Sequence, residues 1–250
     1  FEDLDSCIST VPLFKKNHLD PQALEFMERA IVDKSEKYIG KATFPKVVDG
    51  VEAQAFLLTT FDGKDMDELE EIMEQASEIA LENGAIDVLV ADTPAKIKDA
   101  WAARSSFLEA IKSETKWKDG LELLDECDVV VPLDQIAPYV EFVYKTGKDM
   151  GLQIESFGHA GDGNLHIYII GDDQISVADF KKKADDFFDV IYPEATRVGG
   201  LVSGEHAIGS GKLKYLEEAE GEVNMRLMLD IKKAFDPKMI LNPGKVCHKL

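Results

Sequence analysis

Two glycine-rich stretches carry the residue types best suited to chemistry: Gly158-His159-Ala160-Gly161-Asp162-Gly163-Asn164-Leu165-His166 and, further along, Ser203-Gly204-Glu205-His206. The Asp162-Gly163 dipeptide between β-prone runs reads as the turn of a β-hairpin. Such a hairpin stands His159 and His166 near each other across two strands, where facing Cβ atoms are roughly 4.5–5.5 Å apart. Two imidazoles at that separation can meet on one metal ion, and Glu205 adds an oxygen ligand. Two histidines and a carboxylate hold Zn or Fe while leaving positions open for a substrate. The spacing of the two histidines is not specific, so ordinary hydrogen-bonded histidines remain the alternative reading.

The elements that must position these residues follow from periodicity. Residues 1–16 read as a short helix, and Pro21 begins a second one with Asp20 as N-cap and Leu24, Met27, Ala30 and Ile31 at helical spacing. Residues 40–50 are loop, and 53–61 form a buried strand that ends at Asp62-Gly63. A long acidic amphipathic helix runs from Asp65 to Glu82 and is capped by Asn83-Gly84. Ile86–Ala91 reads as a second strand, and Thr93-Pro94 opens a helix that carries Trp101, Arg104 and Phe107. Cys127–Leu133 is a third strand with Pro132 at its end, and Gln135–Met150 is helix. The hairpin strands are 152–159 and 164–170, followed by a helix over Asp179–Tyr192. A strand-to-turn segment, 199–204, leads to Glu205 and His206; the last long helix is Asn224–Phe235, and the tail beyond it is extended and punctuated by Pro and Gly. This order suits an α+β fold with a largely antiparallel sheet covered by helices. The chain divides into a helical lead-in (1–50), an α+β core (51–197) and a C-terminal helical and extended segment (198–250).

Composition narrows the class. With 250 residues, 45% of them hydrophobic, the chain can bury a substantial core. A net charge of −20 and a pI near 4.6 make nucleic acid and anionic membrane surfaces poor partners. Cys7, Cys127 and Cys247 form neither a CxxC pair nor a disulfide framework, which points to a reducing, cytoplasmic location. No apolar run is long enough to span a membrane. No GxGxxG follows a strand, and no Walker sequence occurs. The chain opens on Phe1, not Met, as a piece of a longer protein would.

The two stretches above, extended to Ser203-Gly204-Glu205-His206-Ala207-Ile208-Gly209, together with Phe235-Asp236-Pro237-Lys238-Met239-Ile240-Leu241-Asn242-Pro243-Gly244-Lys245, resemble the C-terminal half of the FAD-linked oxidase family. This is the family of the glycolate oxidase D subunit, D-lactate dehydrogenase and D-2-hydroxyglutarate dehydrogenase. Val131-Pro132 also fits the family's strand before the substrate-domain helix. The resemblance covers nearly the whole chain. It implies a ferredoxin-like substrate domain that caps a flavin, with FAD held mainly by an upstream domain absent from this sequence.

By the same resemblance His159, His166 and Glu205 bind a divalent metal (Zn, Fe or Mn), and His206 is the base that takes the hydroxyl proton of a 2-hydroxy acid. Arg104 matches the arginine that clamps the substrate carboxylate, while Asn164, Asn242 and Lys245 face the flavin or the substrate. Relatives read Glu-His-Gly-Ile-Gly where this chain has Ala207, a residue less free to adopt φ > 0. The expected activity is oxidation of a 2-hydroxy acid, D-lactate or glycolate, to the 2-oxo acid with hydride transfer to flavin. An electron-transfer protein is a further possible partner. The alternative is a stand-alone module that binds metal or carboxylate, or docks on a partner, without flavin chemistry.

Overall fold

The computed structural model describes residues 1–172 and 174–247. Its centre is a five-stranded, wholly antiparallel sheet made of β1 (Ala23–Glu28), β2 (Ala55–Thr60), β3 (Leu124–Val130), β4 (Gln153–His159) and β5 (Asn164–Ile170). The spatial order is β2-β1-β4-β5-β3. The helices are α1 (Leu4–Lys16), α2 (Arg29–Ile39), α3 (Met66–Glu82), α4 (Pro94–Ser105), α5 (Phe107–Glu114), α6 (Ile136–Asp149), α7 (Val177–Arg197) and α8 (Leu213–Phe235). The unit β3-α6-β4-β5-α7 is the split β-α-β arrangement of ferredoxin-like folds, with β5 inserted between β3 and β4. The chain then returns to the far edge of β3 through a bridge between Val130 and Leu201. That bridge carries the chain to Ser203 and Glu205 beside the end of the hairpin.

Local chemistry explains the helices. Asp3, Asp65 and Thr93 each accept a backbone N–H at the start of α1, α3 and α4, relieving donors that no turn of helix satisfies. α8 is broken at Gly221, whose φ of 73° and ψ of 172° are not helical, so the segment expected from Asn224 is its second half. One sheet face meets α1, α3, α6, α7 and α8 across the larger core, which contains Phe14, Phe26, Cys127, Ile136, Tyr139, Leu165, Ile167, Phe187 and Ile191. The other face packs Met27, Phe157 and Tyr168 against Ile31 and Val32 of α2 and Phe107 and Ile111 of α5.

Two elements differ from the sequence expectation. The helix expected from Pro21 is instead β1, with α2 starting at Arg29. Leu24 and Phe26 join the larger core while Met27 joins the smaller one, so the run is buried on both faces of a sheet, a pattern that helical spacing over a few residues imitates. The sheet therefore draws a strand from the stretch read as a helical lead-in. Ile86–Ala91 pairs with no strand among the described residues. It lines an apolar cavity of about 350 Å³ with β2, α3 and Trp101, and Leu89 and Val90 remain exposed. β-Prone residues form a strand only where a neighbour supplies a ladder.

The register sets the site. Residues two apart along a strand share a face. Glu25, His159 and Asn164 make one row across the sheet, Met27, Phe157, His166 and Asp128 the next, and Glu155, Tyr168 and Glu126 a third. His159 faces Asn164 and His166 faces Phe157, so the two histidines are diagonal neighbours, not the directly opposed pair that the hairpin pattern suggests.

Candidate functional site

The turn between β4 and β5 closes tightly. Gly163 has a φ of +82°, and a Cβ there would lie 2.0 Å from the Val131 carbonyl oxygen, so only glycine passes. Closure brings the His159 and His166 rings to 5.3 Å between centroids, at 87° to each other. The His206 ring stacks on His166 at 4.9 Å.

One carboxylate oxygen sits among the three rings. Glu205 Oε1 lies 3.2 Å from His159 Nε2, 3.2 Å from His166 Nε2 and 3.9 Å from His206 Nε2. The opposite nitrogens face other carboxylates: His159 Nδ1 is 2.7 Å from Glu25, and His206 Nδ1 and His166 Nδ1 are 2.9 and 3.5 Å from Glu126. Three ring nitrogens turned to one carboxylate oxygen, with their far nitrogens set against carboxylates, make a donor set that a cation satisfies. His159, His166 and Glu205 offer ligand atoms within 4.8 Å of one another, and Glu126, His166 and His206 form a second such group. The residues present therefore fit a divalent ion. His166 is almost wholly buried, while Glu205 and His206 are exposed at the open side.

The loop that carries Glu205 is held by Asp128, a residue the sequence reading missed. Its buried carboxylate accepts from the Ser203 hydroxyl (2.8 Å), the Gly204 N–H (3.1 Å), the His206 N–H (3.0 Å), Asn164 Nδ2 (2.7 Å) and Lys212 Nζ (3.0 Å). Burial pushes this carboxyl up, but the Asn164, His206, Lys212 and Ser203 donors outweigh it and hold the group far below the usual carboxylate range. A lone aspartate inside the apolar run Cys127-Asp128-Val129-Val130-Val131 was the available signal, since a buried charge in a strand needs partners.

Asn164 is committed to this anchor: Nδ2 donates to Asp128 and to the Val129 carbonyl, and its backbone N–H donates to Asp162. Arg104 is buried, and its Nε and Nη2 both donate to Glu25 Oε2, at 3.0 and 2.6 Å. Its guanidinium lies over Phe157 and Phe107, 4.8 and 5.3 Å from the ring centroids. Burial raises the Glu25 carboxyl, but the hydrogen bond to His159 and the Arg104 charge leave it below its ordinary value. The Glu25 hydrogen bond raises His159, more than its burial lowers it. Asn242 and Lys245 are exposed on the tail, apart from the imidazole cluster's direct contacts. The tail is pinned beside the site loop by Val246 N–H donating to Gly209 O (2.9 Å) and by Lys245 Nζ donating to Ser210 Oγ (3.4 Å). Ala207 does adopt a positive φ, of 59°.

Comparison with known proteins places a chain with this sheet and site in a family. Residues 1–246 match the family model described as FAD linked oxidases, C-terminal domain, and the chain belongs to that family. It is 53% identical over its whole length to a D-lactate dehydrogenase of Anaerostipes hadrus, covering 51% of that protein. It is 36% identical to a D-lactate dehydrogenase of Archaeoglobus fulgidus, and 32% identical to the glycolate oxidase subunit GlcD of Bacillus subtilis, all of the chain aligning to 50% of each. The chain thus spans about half the length of the curated relatives it matches. Among solved structures, p-cresol methylhydroxylase with substrate bound shares the fold at a TM-score of 0.65 and 14% identity, over 98% of this chain and 51% of that one.

Proposed function

We propose that this chain is the substrate- and metal-binding part of an FAD-dependent dehydrogenase that oxidises a 2-hydroxy acid, D-lactate or glycolate, to the 2-oxo acid. The observation that carries the reading is the convergence of His159, His166 and His206 Nε2 on Glu205 in a member of the FAD linked oxidase family. Relatives named for D-lactate dehydrogenase and glycolate oxidase support the substrate class. The partner is an FAD-binding domain of the same full-length protein, with an electron-transfer protein beyond it. No helix among the described residues is long and apolar enough to cross a membrane, and a cytoplasmic location is part of this reading.

In this mechanism His159, His166 and Glu205 hold a divalent ion such as Zn, Fe or Mn. The ion, when bound, supplies Lewis acidity that lowers the hydroxyl pKa, and flavin supplies the hydride acceptor. His206 Nε2 takes the hydroxyl proton, with Glu126 at its Nδ1 fixing the ring. Arg104, expected to clamp the substrate carboxylate, is buried and spends Nε and Nη2 on Glu25, so its part in this reading is to hold Glu25 behind His159. Phe157, Tyr168 and Phe107 close the floor against water. Asn164 holds the loop, and the exposed Asn242 and Lys245 of the tail are, in this reading, the groups that face the flavin or the substrate.

Elemental analysis tests the reading. The purified chain is expected to carry about one divalent ion, lost in a His159→Ala, His166→Ala double variant. No ion in the unmodified chain, with none taken up on addition of Zn, Fe or Mn, would count against the metal and return the histidines to a structural role.

A further inference from the structure

We infer that Glu25, clamped by Arg104, is the positioning residue that makes Nε2 of His159 the nitrogen available to a metal ion; this rests on the metal-binding reading above. Glu25 sits opposite His159 in the register of β1 and β4 and is 5% exposed. Its two oxygens have separate tasks. Oε2 takes both the Nε and Nη2 donors of Arg104, and Oε1 faces His159 Nδ1 at 2.7 Å. An ionised carboxylate has only acceptor capacity, so the hydrogen between Oε1 and Nδ1 belongs to the imidazole. A neutral ring protonated at Nδ1 carries its lone pair on Nε2, the atom turned toward Glu205.

Arg104 keeps this from drifting. With its guanidinium over the Phe157 and Phe107 rings, it fixes Glu25 from behind. The order Arg104, Glu25, His159 therefore runs from the smaller core to the open site as one chain of charge-assisted hydrogen bonds. The sequence contains no pattern that links residues 25, 104 and 159; the strand register joins Glu25 to His159, and the packing of α4 brings Arg104 to Glu25.

The test measures Zn²⁺ affinity of the purified chain by competition titration, and reads the ring protons of His159 by ¹⁵N NMR at mildly alkaline pH. The variants are Glu25→Gln and the paired Glu25→Met, Arg104→Met, which removes both buried charges and so avoids stranding one of them. Glu36→Gln, a buried carboxylate away from the site, controls for general loss of stability. The expected result is an NMR signal from a proton on Nδ1 in the unmodified chain. Zn²⁺ affinity should fall by about 10- to 100-fold in both Glu25 variants and not in the control. Unchanged affinity in the Glu25 variants, or a proton resident on Nε2 in the metal-free unmodified chain, would overturn the inference. Failure of the unmodified chain to bind Zn²⁺ while His159 still holds its proton on Nδ1 would overturn the metal reading and leave the positioning by Glu25 standing.

Discussion

Asp128 accepts the backbone N–H of His206 at 3.0 Å, joining a strand of the central sheet to a loop 78 residues further along the chain. The same carboxylate takes Lys212 Nζ, the Ser203 hydroxyl, the Gly204 N–H and the Asn164 amide. It is the junction at which the loop carrying Glu205 becomes part of the hairpin site.

Removing that junction has a large expected cost. Asp128→Ala leaves the Lys212 ammonium and several donors without their acceptor, and is expected to destabilise the fold by about 3–5 kcal/mol. Urea unfolding measures the loss. A milder variant, Asp128→Asn, keeps the volume, and is expected to fold but to bind Zn²⁺ more weakly because Glu205 and His206 are no longer held against the hairpin. Equal affinity would show that the loop is positioned by its bridge to β3 alone.

The depressed Asp128 carboxyl also makes a pH prediction. A group whose pKa is lower in the folded state contributes stability above its unfolded value, near 3.9, and loses it as pH falls toward the folded value. The stability difference between the unmodified chain and Asp128→Asn should therefore be constant at neutral pH and shrink below about pH 4. Chemical denaturation at a series of pH values reads this difference, and a gap that widened on acidification would contradict it.

Gly204 is crowded for a reason that concerns the site. A Cβ at this position would lie 2.0 Å from Asn164 Nδ2, so Gly204→Ala must push the loop off the hairpin or displace the amide from Asp128. The expected cost is about 1–3 kcal/mol, with a fall in metal affinity as the Glu205 oxygen withdraws. Gly211→Ala, where nothing stands within 4 Å of the added methyl, serves as the comparison in thermal melting.

Ala207 holds φ at 59°, a conformation that glycine reaches without the Cβ clash. Ala207→Gly is expected to raise stability by up to about 1 kcal/mol, the relief of strain exceeding the added chain entropy of the unfolded state. A thermal melt lower than that of the unmodified chain would mean that the alanine is accommodated at no cost.

Much of the fold follows from local chemistry. The caps at Asp65 and Thr93, the Asp162-Gly163 turn and the β-prone strands of the hairpin are written in adjacent residues, and the structure has them where the pattern puts them. Two short apolar runs were misread because each looks the same from within. Residues 23–28 alternate between two cores but also satisfy helical spacing, and 86–91 has strand-forming residues without a partner among the described residues. Ser106 ends α4, so Phe107 starts a separate helix instead of continuing the one with Arg104.

The amino-acid sequence by itself determined the chemistry on offer: two histidines on one hairpin, a Glu-His pair on a glycine-rich loop, and glycines where the backbone must pass closely. It also determined the family, through motifs that are contiguous in the chain. Only the tertiary structure decided how these groups act together. Glu25 meets both His159 and Arg104 across separations that no local pattern encodes, and Asp128 gathers donors from three distant segments. The reason is physical: a buried charge is tolerated only where folding delivers its partners, and sheet register, set by the packing of both faces, delivers them here.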